Sequence, residues 1–157
     1  MKDETPEGAD LPLEPALDFM QHLWALNHAL ERMSMQMERQ LGVTAQQRLF
    51  IRCIGKYPGM TATQLAGVMH LDRGTVSVSL RRLSTKGLVQ GKRDKEDNRR
   101  VALSLTPKGR ALDKPDPRTI EAAVKKLLAS VGAQRVANAK DVLARLAEEV
   151  LGKLESE

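Results

Sequence analysis

Leu71-Asp72-Arg73-Gly74-Thr75-Val76-Ser77-Val78-Ser79-Leu80-Arg81-Arg82-Leu83-Ser84-Thr85-Lys86-Gly87-Leu88-Val89 is the stretch that decides the fold. Asp72 is a good N-cap for a helix from about Arg73 to Lys86, and Gly87 stops it. At 100° per residue, Val76, Leu80 and Leu83 share one face and must pack inward. The other side offers Arg73, Gly74, Thr75, Ser77, Val78, Arg81 and Arg82. Small residues near the helix start let a backbone approach a groove closely. Their hydroxyls suit base edges or phosphates, arginine suits guanine, and Val78 suits a thymine methyl. Arg82 and Lys86 lie further along and suit phosphates, which position a protein without reading sequence.

On the N-terminal side, two capping boxes open two more helices. Thr44-x-x-Gln47 starts one that runs to about Lys56, with Leu49, Phe50, Cys53, Ile54 and Tyr57 as its apolar face. Pro58-Gly59 breaks it. Thr61-x-x-Gln64 starts a short one to about His70, with Leu65, Val68 and Met69 inward. The first turn of that helix, with Thr61 and Thr63, can face phosphates through its amide dipoles.

On the C-terminal side the period changes. Leu88-Val89-Gln90-Gly91 and Val101-Ala102-Leu103-Ser104-Leu105 read as strands. They flank the charged hairpin Lys92-Arg93-Asp94-Lys95-Glu96-Asp97-Asn98-Arg99-Arg100. Asp94 and Asp97 are expected to hold neighbouring arginines by charge-assisted hydrogen bonds. Arg99 would then enter a minor groove, where narrow A·T tracts attract arginine. Thr106-Pro107 caps a following helix. Two capped helices, a third helix and a hairpin make a winged helix-turn-helix.

The charge has the matching distribution. The chain has 157 residues and a net charge of +5. Residues 44–110 hold 14 Lys or Arg against 4 Asp or Glu, and the remainder holds 11 against 16. A basic middle between acidic flanks is the footprint of a polyanion-binding domain. Aromatics are scarce, at 3%, which favours helix packing over a β-sandwich.

The flanks complete the organisation. Residues 1–14 are acidic and Pro-containing and read as a disordered segment. Residues 15–43 hold a helix with apolar residues on more than one side, residues 44–112 the winged domain, and residues 113–157 further amphipathic helices. The helical stripes are Ile120, Val124, Leu127, Leu128 and Val131, then Val136, Leu143, Leu146, Val150 and Leu154. Lys114-Pro115-Asp116-Pro117 interrupts the chain before them.

Several classes drop out. No run of 18 apolar residues is present to cross a membrane, and the acidic start is unlike a secretory signal. A cytoplasmic setting is the expectation. One cysteine and three scattered histidines, His22, His28 and His70, make neither a disulfide framework nor a metal site. Cys53 reads as a small core residue. No nucleophile–base pair or phosphate loop is in register, so neither an enzyme nor a cofactor is expected.

The motifs of residues 44–110 resemble the MarR (multiple antibiotic resistance regulator) family. The resemblance rests on Gln64-Leu65-Ala66, Leu71-Asp72-Arg73-Gly74-Thr75-Val76-Ser77, and Leu83-Ser84-Thr85-Lys86-Gly87-Leu88-Val89. It extends through Arg93-Asp94, Asp97-Asn98-Arg99-Arg100 and Leu103-Ser104-Leu105-Thr106-Pro107-Lys108-Gly109. It implies a mainly α fold with a small two- to three-stranded β-wing. It also implies a homodimer built from the N- and C-terminal helices, binding a pseudo-palindromic double-stranded DNA operator as a transcriptional repressor. The family's wing Asp-x-Arg corresponds to Asp97 and Arg99. Many members also bind a small phenolic or otherwise anionic effector; the positions bordering that space here are Trp24, His28, Met33, Met37 and Arg52. The DNA-binding set expected on all these grounds is Thr61, Thr63, Arg73, Gly74, Thr75, Ser77, Val78, Arg81, Arg82, Lys86, Arg93, Lys95, Asp97 and Arg99. Other readings are a winged-helix protein-interaction module and a DNA binder without ligand control.

Overall fold

The computed structural model describes residues 12–97 and 99–155. Most of the expected disordered segment, residues 1–11, lies outside them. The chain divides into two compact units, one ending at Lys114 and the other beginning at Pro115.

The first unit opens with helix α1, Pro15–Leu41, which ends at Gly42 in a left-handed conformation (φ 75°). Helices α2, Ala45–Lys56, and α3, Ala62–Met69, both begin with complete capping boxes. Helix α4 is Arg73–Thr85, and Asp72 caps it. Gly87 follows with φ 69°, and the Leu88 amide turns back to the Leu83 carbonyl. A left-handed residue followed by such a bond is the standard way to close a helix end.

Strands β1, Val89–Arg93, and β2, Val101–Leu105, pair antiparallel with Val89 opposite Leu105 and Arg93 opposite Val101. Among the described residues the sheet has two strands. Gly59 and Met60 exchange two main-chain hydrogen bonds with Leu103 and so cover part of its free edge. Helix α5, Pro107–Leu112, is capped by Thr106. Gly109 is indispensable here: a Cβ would lie 2.0 Å from the Leu88 carbonyl oxygen.

One apolar core joins these elements. Phe50, Ile51 and Ile54 of α2, Leu65 of α3 and Val76 and Leu83 of α4 are fully buried, with Leu103 and Leu105 of β2 against them. Each such side chain contributes about 1.5–3 kcal/mol over its exposed state.

The inward faces differ from expectation in detail. On α2, Leu49 and Tyr57 are half exposed, while Ile51, Gln47 and Arg48 are buried. On α3, Val68 is exposed and Ala66 takes its place inside. Helix α2 is gripped by β2 and by neighbouring helices, and α3 by α2 and α4, so their buried arcs are not centred where one apolar stripe places them.

The second unit holds α6, Ile120–Leu128, and α7, Ala133–Leu154. Thr119 caps α6 through its hydroxyl. Leu127, Val150, Leu151 and Leu154 are more than half exposed.

Candidate nucleic-acid interface

Helix α4 begins with a tightly built turn. One carboxylate oxygen of Asp72 accepts the Thr75 amide at 2.8 Å, and the other accepts the Thr75 hydroxyl at 2.6 Å. These bonds, the hydroxyl first, hold the Asp72 carboxyl below its ordinary range. From this turn onward Arg73, Gly74, Ser77, Val78, Arg81 and Arg82 are exposed, and Thr75 is half-buried. Val76, Leu80 and Leu83 face the core, as their spacing requires.

The α3 turn is closed reciprocally. Thr61 Oγ1 accepts the Gln64 amide at 3.2 Å, and Gln64 Oε1 accepts the Thr61 amide at 2.8 Å. Thr63 is exposed beside it.

The wing is held by its own carboxylates, although not as expected. Asp97 Oδ1 accepts the main-chain amide of Arg99 at 3.0 Å, and Asp94 Oδ1 accepts that of Glu96 at 2.9 Å. Both bonds are local turns to the backbone two residues on, which order less chain than a grip on a long guanidinium. The Arg99 side chain is left exposed, as are those of Arg93, Lys95 and Asp97. An open cleft of about 450 Å³ brings Thr61, Thr63, Gln64, Asp97, Arg99 and Arg100 to one place.

Lys56 apart, the cations of residues 44–110 separate into two groups. Arg48, Arg52, Lys86, Lys108 and Arg110 hold main-chain carbonyls of the domain itself. Arg73, Arg81, Arg82, Lys92, Arg93, Lys95, Arg99 and Arg100 are exposed, and their side chains make no hydrogen bond or ion pair among the described residues. All eight lie on α4 or the wing. Lys86 departs from the expected phosphate contact: its ammonium reaches the Gly42 carbonyl at 2.8 Å and Gln47 Oε1 at 3.0 Å. The end of α1 supplies lone pairs there that attract a cation.

Arg48 is a residue that periodicity missed. It is 1% exposed and donates to the carbonyls of Leu112 and Lys114. One turn on, Arg52 donates to the Asp113 carbonyl and pairs with its carboxylate at 2.7 Å. The pair clasps the end of α5 to α2. The i, i+4 spacing of two arginines among Leu49, Phe50, Ile51, Cys53 and Ile54 was the available signal.

Of the five residues expected to border an effector, Arg52 lines a cavity of about 550 Å³ with Cys53, Lys56, Tyr57, Val68 and Asp113. Trp24 and His28 are exposed on α1, Met33 is half-buried and Met37 is buried; none of them lines that cavity. Burial pushes the Cys53 thiol up, against the opposing pull of Lys56.

The family model described as MarR family matches residues 43–101, which run from the start of α2 to the wing. Over those residues the chain resembles the MarR family. Individual relatives are transcriptional regulators. The organic hydroperoxide resistance transcriptional regulator of Bacillus subtilis is 29% identical over 102 residues, covering 65% of this chain and 68% of that protein. The transcriptional regulator TtmR of Methylorubrum extorquens is 31% identical over 90 residues. That match covers 57% of this chain and spans less than half, 46%, of TtmR. The crystal structure of Streptococcus pneumoniae FabT in complex with DNA superposes with a TM-score of 0.63 and 26% identity. That superposition covers 87% of this chain and 98% of FabT.

Proposed function

We propose that this protein is a MarR-family, sequence-specific regulator of transcription that reads double-stranded DNA. The observation that carries the reading is the segregation of cations. Eight exposed arginines and lysines lie on α4 and the wing, while the domain's remaining cations, Lys56 apart, serve its own carbonyls. In this reading α4 enters the major groove with Ser77, Val78 and Arg81 toward bases. Arg99 enters the adjacent minor groove, aimed by the turn that Asp97 makes. Thr61, Thr63, Arg73, Arg82, Arg93 and Lys95 lie toward phosphates. The relatives it matches are transcriptional regulators.

The proposal includes a homodimer. Apolar side chains stand exposed on α1 (Leu17, Phe19, Trp24, Leu26) and, in the second unit, on α7 (Val150, Leu151, Leu154). Large apolar side chains exposed in such number mark interaction surfaces. A dimer presents two α4 helices to a pseudo-palindromic operator. A small anionic effector would meet Arg52 and Lys56 at the 550 Å³ cavity and compete with Asp113 for Arg52.

Selection of bound duplexes from a random pool tests the function. A recurrent inverted repeat is expected; a pool that remains unenriched after repeated rounds refutes it.

A further inference from the structure

The hydrogen-bond polarity of Thr75 follows from its partner. A carboxylate ionised near neutral pH has no proton to give, so in the 2.6 Å contact the Thr75 hydroxyl must be the donor. Its one proton is therefore committed to Asp72. What remains toward the outside is a pair of acceptor sites. Ser77, two residues on, has no side-chain partner among the described residues, so its hydroxyl keeps both roles.

This polarity has a chemical consequence at a DNA groove. Phosphate oxygens are acceptors only, and so are guanine O6 and N7 and thymine O4. None of them can bond an acceptor. The groups that can are the exocyclic amines, adenine N6 and cytosine N4. Asp72 reinforces this choice, since its negative charge disfavours a phosphate beside it.

We propose that Thr75, fixed by Asp72, is a specificity-determining residue that accepts from an exocyclic amine and so selects adenine or cytosine at one operator position. The geometry supports the fixed orientation. Asp72 holds Thr75 by two bonds, to the amide and to the hydroxyl. Gly74 leaves room for that carboxylate, because a Cβ there would lie 3.0 Å from Asp72 Oδ1. Thr75 also stands two helical turns from Arg82, on the flank of the exposed face rather than against the core.

The inference rests on the DNA-reading function, and one experiment separates the two. Asp72→Asn keeps the cap, because asparagine is as good an N-cap as aspartate. The asparagine oxygen takes the Thr75 amide, and its NH2 then faces the hydroxyl and donates to it. The Thr75 proton is released outward. Random-pool selection is run in parallel with the wild-type chain, Thr75→Val and Asp72→Asn. Thr75→Val is expected to lose preference at one position per half-site, by about fivefold, the worth of one hydrogen bond. At that position the wild type is expected to select adenine or cytosine, and Asp72→Asn to shift toward guanine or thymine. Removal of a negative charge can raise affinity for every sequence alike, so base preference is the readout.

Three results overturn the inference while leaving the function standing. They are an unchanged preference in Asp72→Asn, no altered position in Thr75→Val, and guanine or thymine selected by the wild type there. A wild-type pool without enrichment overturns both.

Discussion

Asp97 fixes the main chain of Arg99, not its side chain: the carboxylate accepts the Arg99 amide at 3.0 Å and leaves the guanidinium exposed. The aspartate thus sets the direction in which the arginine leaves the wing while the charge stays available to a partner.

Arg99→Ala is expected to lower affinity for the selected operator on the order of tenfold, most on A·T-flanked sites. Asp97→Asn keeps an acceptor for the amide and is expected to stay within about twofold, whereas Asp97→Ala loses the turn and falls between the two. Fluorescence anisotropy on duplexes with A·T or G·C flanks measures all three. Equal binding by Arg99→Ala and the wild type removes the minor-groove role.

Arg81 and Lys86 differ in a measurable way. Arg81→Ala is expected to relax base preference at one position, and Arg82→Ala to weaken all sequences alike, with the salt slope reduced by about one. Lys86→Ala is expected to leave the slope unchanged and to cost about 1 kcal/mol of stability, because its ammonium serves Gly42 and Gln47. Urea unfolding beside a salt titration tells them apart; a lower slope in Lys86→Ala returns that residue to the phosphate set.

The α2 arginine clasp is expected to matter for stability. Arg48→Ala removes a buried guanidinium and takes the donor from the carbonyls of Leu112 and Lys114. The expected loss is about 3 kcal/mol in urea denaturation. Gly109→Ala, which forces a methyl onto the Leu88 carbonyl, is expected to cost at least as much. A loss below about 1 kcal/mol in Arg48→Ala contradicts the clasp.

The capping elements of this fold were legible in the sequence because they are local. Thr44 with Gln47, Thr61 with Gln64, Asp72 and Thr106 each meet partners within three residues, and each was found where its spacing placed it. The partners of Arg48 and Lys86 were not legible, because they lie as far as 66 and 44 residues away in the chain. Leu49, Tyr57 and Val68 lie on the apolar stripe yet stand exposed, because a helical period gives the direction of a stripe and not the width of the arc that neighbours cover. The wing carboxylates were found at the right residues with the wrong partner: a two-residue turn to the backbone satisfies an aspartate before a flexible guanidinium does.

Acid sensitivity is expected from Asp72. Its carboxyl lies below its ordinary range in the folded chain. The stability this contributes is complete above the unfolded value, about 3.9, and is lost as pH falls through the lower folded value. Asp72→Asn is expected to flatten that part of the acid limb in thermal unfolding from pH 5 downward. An acid limb identical in the two proteins contradicts the bonded turn.

The exposed stripe on α7 is expected to pair chains. Light scattering at micromolar concentration is expected to give twice the chain mass for the wild type, and Leu151→Glu to shift it toward the monomer and weaken operator binding. A wild-type monomer contradicts the dimer.

The central claim is that α4 and the wing read sequence. It is tested most directly by the affinity of the wild-type chain for its selected duplex against a scrambled duplex of equal length and composition, at one salt concentration. Preference for the selected duplex by roughly a thousandfold or more is predicted; equal affinity for the two duplexes would contradict it.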